Sequence, residues 1–259
     1  MSGTIHAIYR KVLPLSVRMT VRELLTRYGS SVGRHGGWDR VAIAEKYLKG
    51  DGIEIGALNS PLKVPHAASV KYVDRMTTPD LRKQYPELND LKLVDADIIA
   101  DGERLDGVRD STQDFVIANH FIEHCQNPLL ALSNMFRVLK EDGLLYLAAP
   151  DKRFTFDVDR PITPLEHILR DFEEGGEWSR RQHFEEWVRD VNKVQGAAEF
   201  EKRVDELMGI DYSIHFHAWT QLEMLEFILA LNRKLGIRFD VELVFKNGEE
   251  CIFILRKTA

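Results

Sequence analysis

Residues 50–65 read "GDGIEIGALNSPLKVP", a short apolar run that stops on a single glycine, Gly56. A dinucleotide-binding turn carries two further glycines at this point, which let a pyrophosphate approach backbone amides at a helix N-terminus. Leu58 and Ser60 stand at those two positions. The run is therefore either an ordinary strand entering a loop or a binding turn for a ligand without a pyrophosphate. Gly56 alone supplies the permissive backbone that such a turn needs.

Similar runs recur along the chain. "GIEIGA" (52–57), "SVKYVD" (69–74), "ADIIAD" (96–101), "DFVIANH" (114–120) and "GLLYLAAP" (143–150) are short and apolar, as in strands that a parallel sheet buries on both faces. Helical patterns lie between them. "TPDLRKQYPELNDL" is cut short by Pro86, and "NPLLALSNMFRVLKEDG" starts with Asn127 as N-cap and Pro128 at N1, with Gly143 just past its end. Strand alternating with helix predicts an α/β, Rossmann-like, doubly wound sheet. Residues 151–217 break the pattern: 26 of 67 are charged and no strand signal appears, which predicts a mainly helical cap insertion. Thr220 then caps a helix that ends before Gly236, and Asn247–Gly248 joins two strands as an antiparallel hairpin. The expected organisation is an N-terminal helical segment (1–40), a core (41–150), the cap (151–217), and a helix with hairpin completing the core (218–259).

The chain has 259 residues and a net charge of -6, which argues against a dedicated nucleic-acid partner. Residues 1–40 are basic, and "VRMTVRELLTRYG" reads as an amphipathic helix packed on the main domain. No apolar run approaches the roughly 18–20 residues that span a bilayer, and there is no secretory signal. Cys125 and Cys251 fit no metal or redox spacing, so reduced thiols in a cytoplasmic protein are expected. The sequence is compatible with a homodimer and does not specify one.

Ligands of open α/β sheets sit at the carboxyl ends of the strands, near the point where strand order reverses. Glu54 and Gly56 end the first run. Asp74 ends the second, placed to accept from ribose hydroxyls. Asp101–Gly102 ends the third, where a carboxylate can accept from an adenine amino group. Asn119–His120 ends the fourth and Pro150–Asp151 the fifth.

The ensemble "DFVIANHFIEH" and "NPLLALSNMFRVLKEDGLLYLAAP" resembles the class I S-adenosylmethionine-dependent methyltransferases over about residues 51–152. "PDKRFTFDVDRPITPLEHILRDF" and "IHFHAW" further resemble a subgroup that accompanies glycosyltransferases in bacterial surface-polysaccharide biosynthesis. The superfamily resemblance implies S-adenosylmethionine as cofactor. Glu54, Gly56, Ala57 and Leu58 would face its methionine part, and Asp74 its ribose. Arg75 and Met76 would lie beside the adenine, with Asp101 and Gly102 on its other side. Asn119 and His120 would lie near the transferred methyl. The subgroup resemblance implies a saccharide or nucleotide-linked sugar as acceptor. A hydroxyl acceptor calls for a general base, for which Asp151, His215, His217 and His167 are the candidates.

Other readings compete. "HFIEH" (120–124) also fits an inverted zinc-protease signature, which requires both histidines on one helical face; the strand end at His120 opposes this. His215 and His217 share a side if their segment is extended. Asp157 and Asp159 could hold Mg²⁺, although alternate spacing is thin support and no metal site is expected. An acceptor other than a sugar, or a catalytically silent cofactor-binding protein, remains open.

Overall fold

The computed structural model describes residues 37–259, and the basic helix expected to end at Gly29 lies outside them. The first described helix, α1 (Arg40–Tyr47), is capped by the Asp39 carboxylate, which accepts from the Ala42 N–H at 2.8 Å. Strands β1 (Gly50–Ile55) and β2 (Ala68–Asp74) follow. Next comes α2 (Thr78–Gln84), which stops before Pro86 as its ring requires. Strand β3 is reduced to Ile98–Ile99, shorter than the run 96–101 suggests, because only Val73 and Asp74 of β2 reach it. Strand β4 (Gln113–Asn119) leads through a tight turn to α3 (Pro128–Val138) and β5 (Leu139–Pro150).

The sequence extends α3 toward Gly143; the structure ends it at Val138. Residues 140–143 form a bulge, across which the β4 pairing moves from Gln113–Leu139 to Phe115–Leu144. Asp142 takes φ +62° there. A Cβ on Gly143 would stand 2.9 Å from the Lys140 carbonyl oxygen, so this glycine serves a close backbone approach rather than a helix end.

The cap carries α4 (Leu165–Glu174), α5 (Arg180–Asp190) and α6 (Ala197–Gly209). Phe184, Trp187, Val204, Leu207 and Ile214 give it a core of its own. Its entering and leaving chains run side by side. The Lys152 N–H donates to Trp219 O at 2.8 Å, Thr163 N–H to Ala218 O at 3.0 Å, and the Arg160 guanidinium to Phe216 O at 3.0 Å. The Phe216 N–H donates to Glu123 O at 2.7 Å, which docks the leaving chain on the turn after β4.

Helix α7 (Gln221–Leu235) opens with a Thr220–Glu223 capping box and closes on Gly236 at φ +68°. Strands β6 (Phe239–Asn247) and β7 (Glu250–Lys257) turn at Gly248, φ +64°. The sheet order is β3-β2-β1-β4-β5-β7-β6, with β7 antiparallel to both neighbours. Successive residues of a strand face opposite sides. Val116, Ala118, Leu145 and Leu147 thus pack on α3 and α7, while Phe115, Ile117, Leu144 and Tyr146 meet Ile43 and Ala44 of α1. Burial on both faces explains the unbroken apolar runs. Strand order reverses between β1 and β4, and the carboxyl ends of β1 to β4 share one edge.

Candidate functional site

A cavity of about 630 Å³ lies at that edge, closed on one side by Asp211, Tyr212, Ser213 and Phe216 of the cap. Ligand pockets commonly fall between about 300 and 1,000 Å³. Gly56 leaves β1 at φ +66°, and Leu58 is also left-handed at φ +49°. Leu58 accepts this strain while packing against Leu81, Leu88, Met76 and Tyr85, which form an apolar wall. At the opposite wall Gly102 is tightly packed, since a Cβ would stand 2.5 Å from the Phe121 ring and 2.7 Å from Ile55 Cγ2.

Among the cofactor-binding candidates, Gly56, Leu58, Asp74, Arg75, Asp101, Gly102 and His120 border the cavity. Burial raises the half-buried Asp74 carboxyl above its ordinary range, and its Oδ1 accepts from the Met76 N–H at 3.2 Å. Arg75 reaches the cap instead of lying flat: it donates to Asp211 Oδ2 at 2.8 Å and to Tyr85 Oη at 2.7 Å. Arg180 donates to the other oxygen of Asp211 at 2.9 Å. This cluster clasps α5 and the cap's leaving chain to the end of β2.

The remaining candidates support the site from outside. Glu54 is buried beneath the loop, and both its oxygens accept from the Leu62 N–H at 3.0 Å. Burial pushes its carboxyl up to about 7. Asn119 is half-buried near Glu54, with its amide atoms shielded from solvent and outside good hydrogen-bond geometry. Ala57 turns the loop by accepting from the Ser60 N–H at 2.9 Å, and Met76 belongs to the apolar wall.

His120 ends β4 at φ +49°. Its Nε2 lies 2.8 Å from Glu250 Oε2, and its Nδ1 lies 3.5 Å from Glu123 Oε1. Glu250 is fully buried and also accepts from Arg40 Nε at 2.8 Å and Asn247 Nδ2 at 2.6 Å. Burial alone would raise the Glu250 carboxyl, but Arg40 and His120 outweigh it and hold it down to about 2. Sequence reasoning passed over Glu250 because it begins the last strand, 130 residues from His120. It also passed over Glu103, whose carboxylate accepts from the Gln126 and Asn127 N–H groups at 2.6 and 3.2 Å. The only local signal for Glu103 is its place directly after Asp101–Gly102.

None of the four general-base candidates borders the cavity. Asp151 is tied to Arg153, which donates to its oxygens at 2.9 and 2.6 Å. His215 Nδ1 lies 2.7 Å from Asp157 Oδ2, and its ring stands edge-on to His124, 4.7 Å between centroids. His124 does border the cavity. Burial, then the neighbouring His215, pushes the His124 imidazole down to about 3. Burial opposes a proton on His215, but Asp157 outweighs it and raises that imidazole overall. His167 and His217 belong to a separate group with His183 and Asp171.

His215 and His217 therefore do not share a side, contrary to the extended reading. The leaving chain is not a regular strand, and Glu123 O accepts from both consecutive N–H groups, Phe216 at 2.7 Å and His217 at 3.3 Å. Asp157 and Asp159 are each engaged by cations, Asp157 by Arg160 at 2.9 Å and Asp159 by Lys193, and do not converge on an ion. The inverted zinc-protease geometry is absent too, because His120 ends a strand and His124 closes a 3-10 turn.

Comparison with known proteins bears on the same edge of the sheet. Residues 56–147 match a methyltransferase-domain family. The match begins at Gly56 and ends within β5, covering 92 of the 259 residues and leaving the cap and hairpin outside. No curated protein matches the chain. Among solved structures, a Thermotoga maritima S-adenosylmethionine-dependent methyltransferase is 15% identical, with 93% of this chain and 98% of that one covered at a TM-score of 0.46. A Methanosarcina mazei S-adenosylmethionine-dependent methyltransferase is 17% identical, with coverages of 85% and 99% and a TM-score of 0.44. A Rhodobacter sphaeroides chain named among zinc-dependent alcohol dehydrogenases is 14% identical, with coverages of 84% and 88% and a TM-score of 0.49.

Proposed function

We propose that the protein is an S-adenosylmethionine-dependent methyltransferase acting on a hydroxyl of a saccharide or nucleotide-linked sugar. The observation that carries the cofactor reading is the convergence of Gly56, Asp74, Asp101 and His120 on one cavity at the reversal of strand order. The lining fits this cofactor: two carboxylates for hydroxyl and amino groups, an apolar wall for a purine, and no glycine-rich phosphate cradle. The saccharide reading rests on the sequence resemblance of the cap.

When bound, the cofactor supplies a methyl group already activated by the positive sulfonium. The Asp74 carboxylate would accept from the ribose, Asp101 from the adenine, and Leu58 with the Tyr85 ring would cover the base. His120, braced by Glu250, would shape the methionine end. The cap would exclude water and align the acceptor hydroxyl. Of the general-base candidates, His215 suits the role best. Asp157 accepts its Nδ1–H, which would leave Nε2 as the basic nitrogen of the neutral ring, and the His124 ring stands between His215 and the cavity.

Calorimetric titration with S-adenosylmethionine or its demethylated product tests the cofactor reading. Saturable one-site binding, weakened at least tenfold by Asp74→Ala, is expected; wild type that binds neither compound refutes it. His215→Gln is expected to lower turnover by about 10²-fold with cofactor affinity unchanged. Unaltered turnover would remove His215 from that role.

A further inference from the structure

The cap holds a second polar cluster, behind the cavity wall and sharing no residue with it. His167 and Asp171 lie one turn apart on α4, His183 is on α5, and His217 is on the chain leaving the cap. Asp171 and His217 are fully buried, His183 is 4% exposed, and His167 is half-buried. One ligand atom from each lies within 4.8 Å of all the others. The measured pairs are His167 Nε2 to His183 Nε2 at 3.0 Å, His167 Nε2 to Asp171 Oδ2 at 3.4 Å, and His217 Nε2 to Asp171 Oδ2 at 3.6 Å.

A tetrahedral zinc with bonds of about 2.0–2.1 Å has ligand–ligand edges of about 3.3–3.4 Å. The three measured edges bracket that value. Two of the four ligand atoms are also unsatisfied as they stand: Asp171 Oδ2 and His217 Nε2 are buried without a hydrogen-bond partner among the described residues. A buried polar atom left this way is destabilising unless something else engages it. The other carboxylate oxygen is held outward by the Ser179 hydroxyl at 3.1 Å, and the Asp171 carbonyl accepts from Asn127 Nδ2 at 2.7 Å, so the ligand-bearing turn is fixed from both sides. Trp219 stacks on His217 with ring centroids 5.3 Å apart, and Trp178 flanks His167 at 4.8 Å. These two indole rings cover the cluster on its His217 and His167 sides.

We propose that His167, Asp171, His183 and His217 form a closed, four-ligand structural site for a divalent transition metal, with Zn²⁺ the best match to three imidazoles and one carboxylate. The ion pins two cap helices to the chain that carries Ser213 and Phe216 into the cavity wall. Four protein ligands leave no open position, so its role is architectural rather than catalytic. The proposal does not depend on the methyltransferase reading.

The test uses the full chain. Wild type produced with zinc in the medium is expected to retain about one zinc per chain by elemental analysis. After chelator stripping, Co²⁺ should restore a visible ligand-field band typical of tetrahedral coordination, and Zn²⁺ should raise the melting temperature. Asp171→Asn and His183→Gln should lose both effects, while Asp159→Asn, outside the cluster, should keep them. Folded wild type that retains no zinc and develops no Co²⁺ band would overturn the site, irrespective of how the variants behave. Equal metal retention by Asp171→Asn and His183→Gln would overturn these ligands.

Discussion

The buried Glu250 carboxylate offers the most direct measure of how the antiparallel part of the sheet supports the site. It accepts from Arg40 of α1, from His120 at the end of β4 and from Asn247 across the hairpin turn. Glu250→Gln keeps the shape and removes the charge. The carboxyl moves from an ordinary 4.5 to about 2 in the folded protein. At about 1.4 kcal/mol per unit this contributes about 3 kcal/mol, similar to the roughly 3–5 kcal/mol lost when one partner of a buried ion pair is removed. The pKa is depressed, so the contribution is complete above 4.5 and disappears as pH falls toward 2. Urea unfolding followed by circular dichroism from about pH 7 to about pH 3 should show wild type losing stability steadily below 4.5 and the variant starting about 3 kcal/mol lower with a flatter curve. The two curves should converge in acid. Cofactor affinity should also fall, because His120 loses its brace. Equal stability at neutral pH, or parallel curves throughout, would refute the assigned role of Glu250.

Three further outcomes are expected. Gly102→Ala places a methyl 2.5 Å from the Phe121 ring; it should cost about 1–3 kcal/mol in urea unfolding and weaken cofactor binding by pushing that ring into the cavity. Arg75→Ala opens a half-exposed clasp to Asp211, so the melting temperature should shift little, in keeping with roughly 0–1 kcal/mol for such pairs, while stopped-flow dissociation of the cofactor should accelerate. Glu54 has a raised pKa, about 7 against 4.5, so the stability linked to it is present below 4.5 and is lost as pH rises toward 7; Glu54→Gln should flatten the urea-midpoint profile across that interval.

The sheet was legible because its signals are local. Glycine after β1, acids at the end of β2 and just past β3, Asn127–Pro128 before α3 and Thr220 before α7 all act within a few residues of themselves. The misreadings arose where a neighbour decides. Gly143 has the sequence context of a helix terminator, yet it is required by a bulge against β4. Arg75 borders the cavity as expected, but its ion pair with Asp211, 136 residues later, has no local signal in the sequence.

The same distinction explains why the histidines of the cap resisted assignment. His215 and His217 are separated by one residue, and regular extended backbone would aim both at the same target. Glu123 O captures two consecutive N–H groups of this segment, Phe216 and His217, and the chain departs from a regular strand. The two rings then part. His215 joins Asp157 and, through His124, the cavity; His217 joins His167, His183 and Asp171 behind it. Phe216 between them lines the cavity and also contacts the His183 ring, 5.8 Å between centroids. One irregular stretch therefore joins a wall of the candidate active site to the proposed metal cluster, with Phe216 touching both.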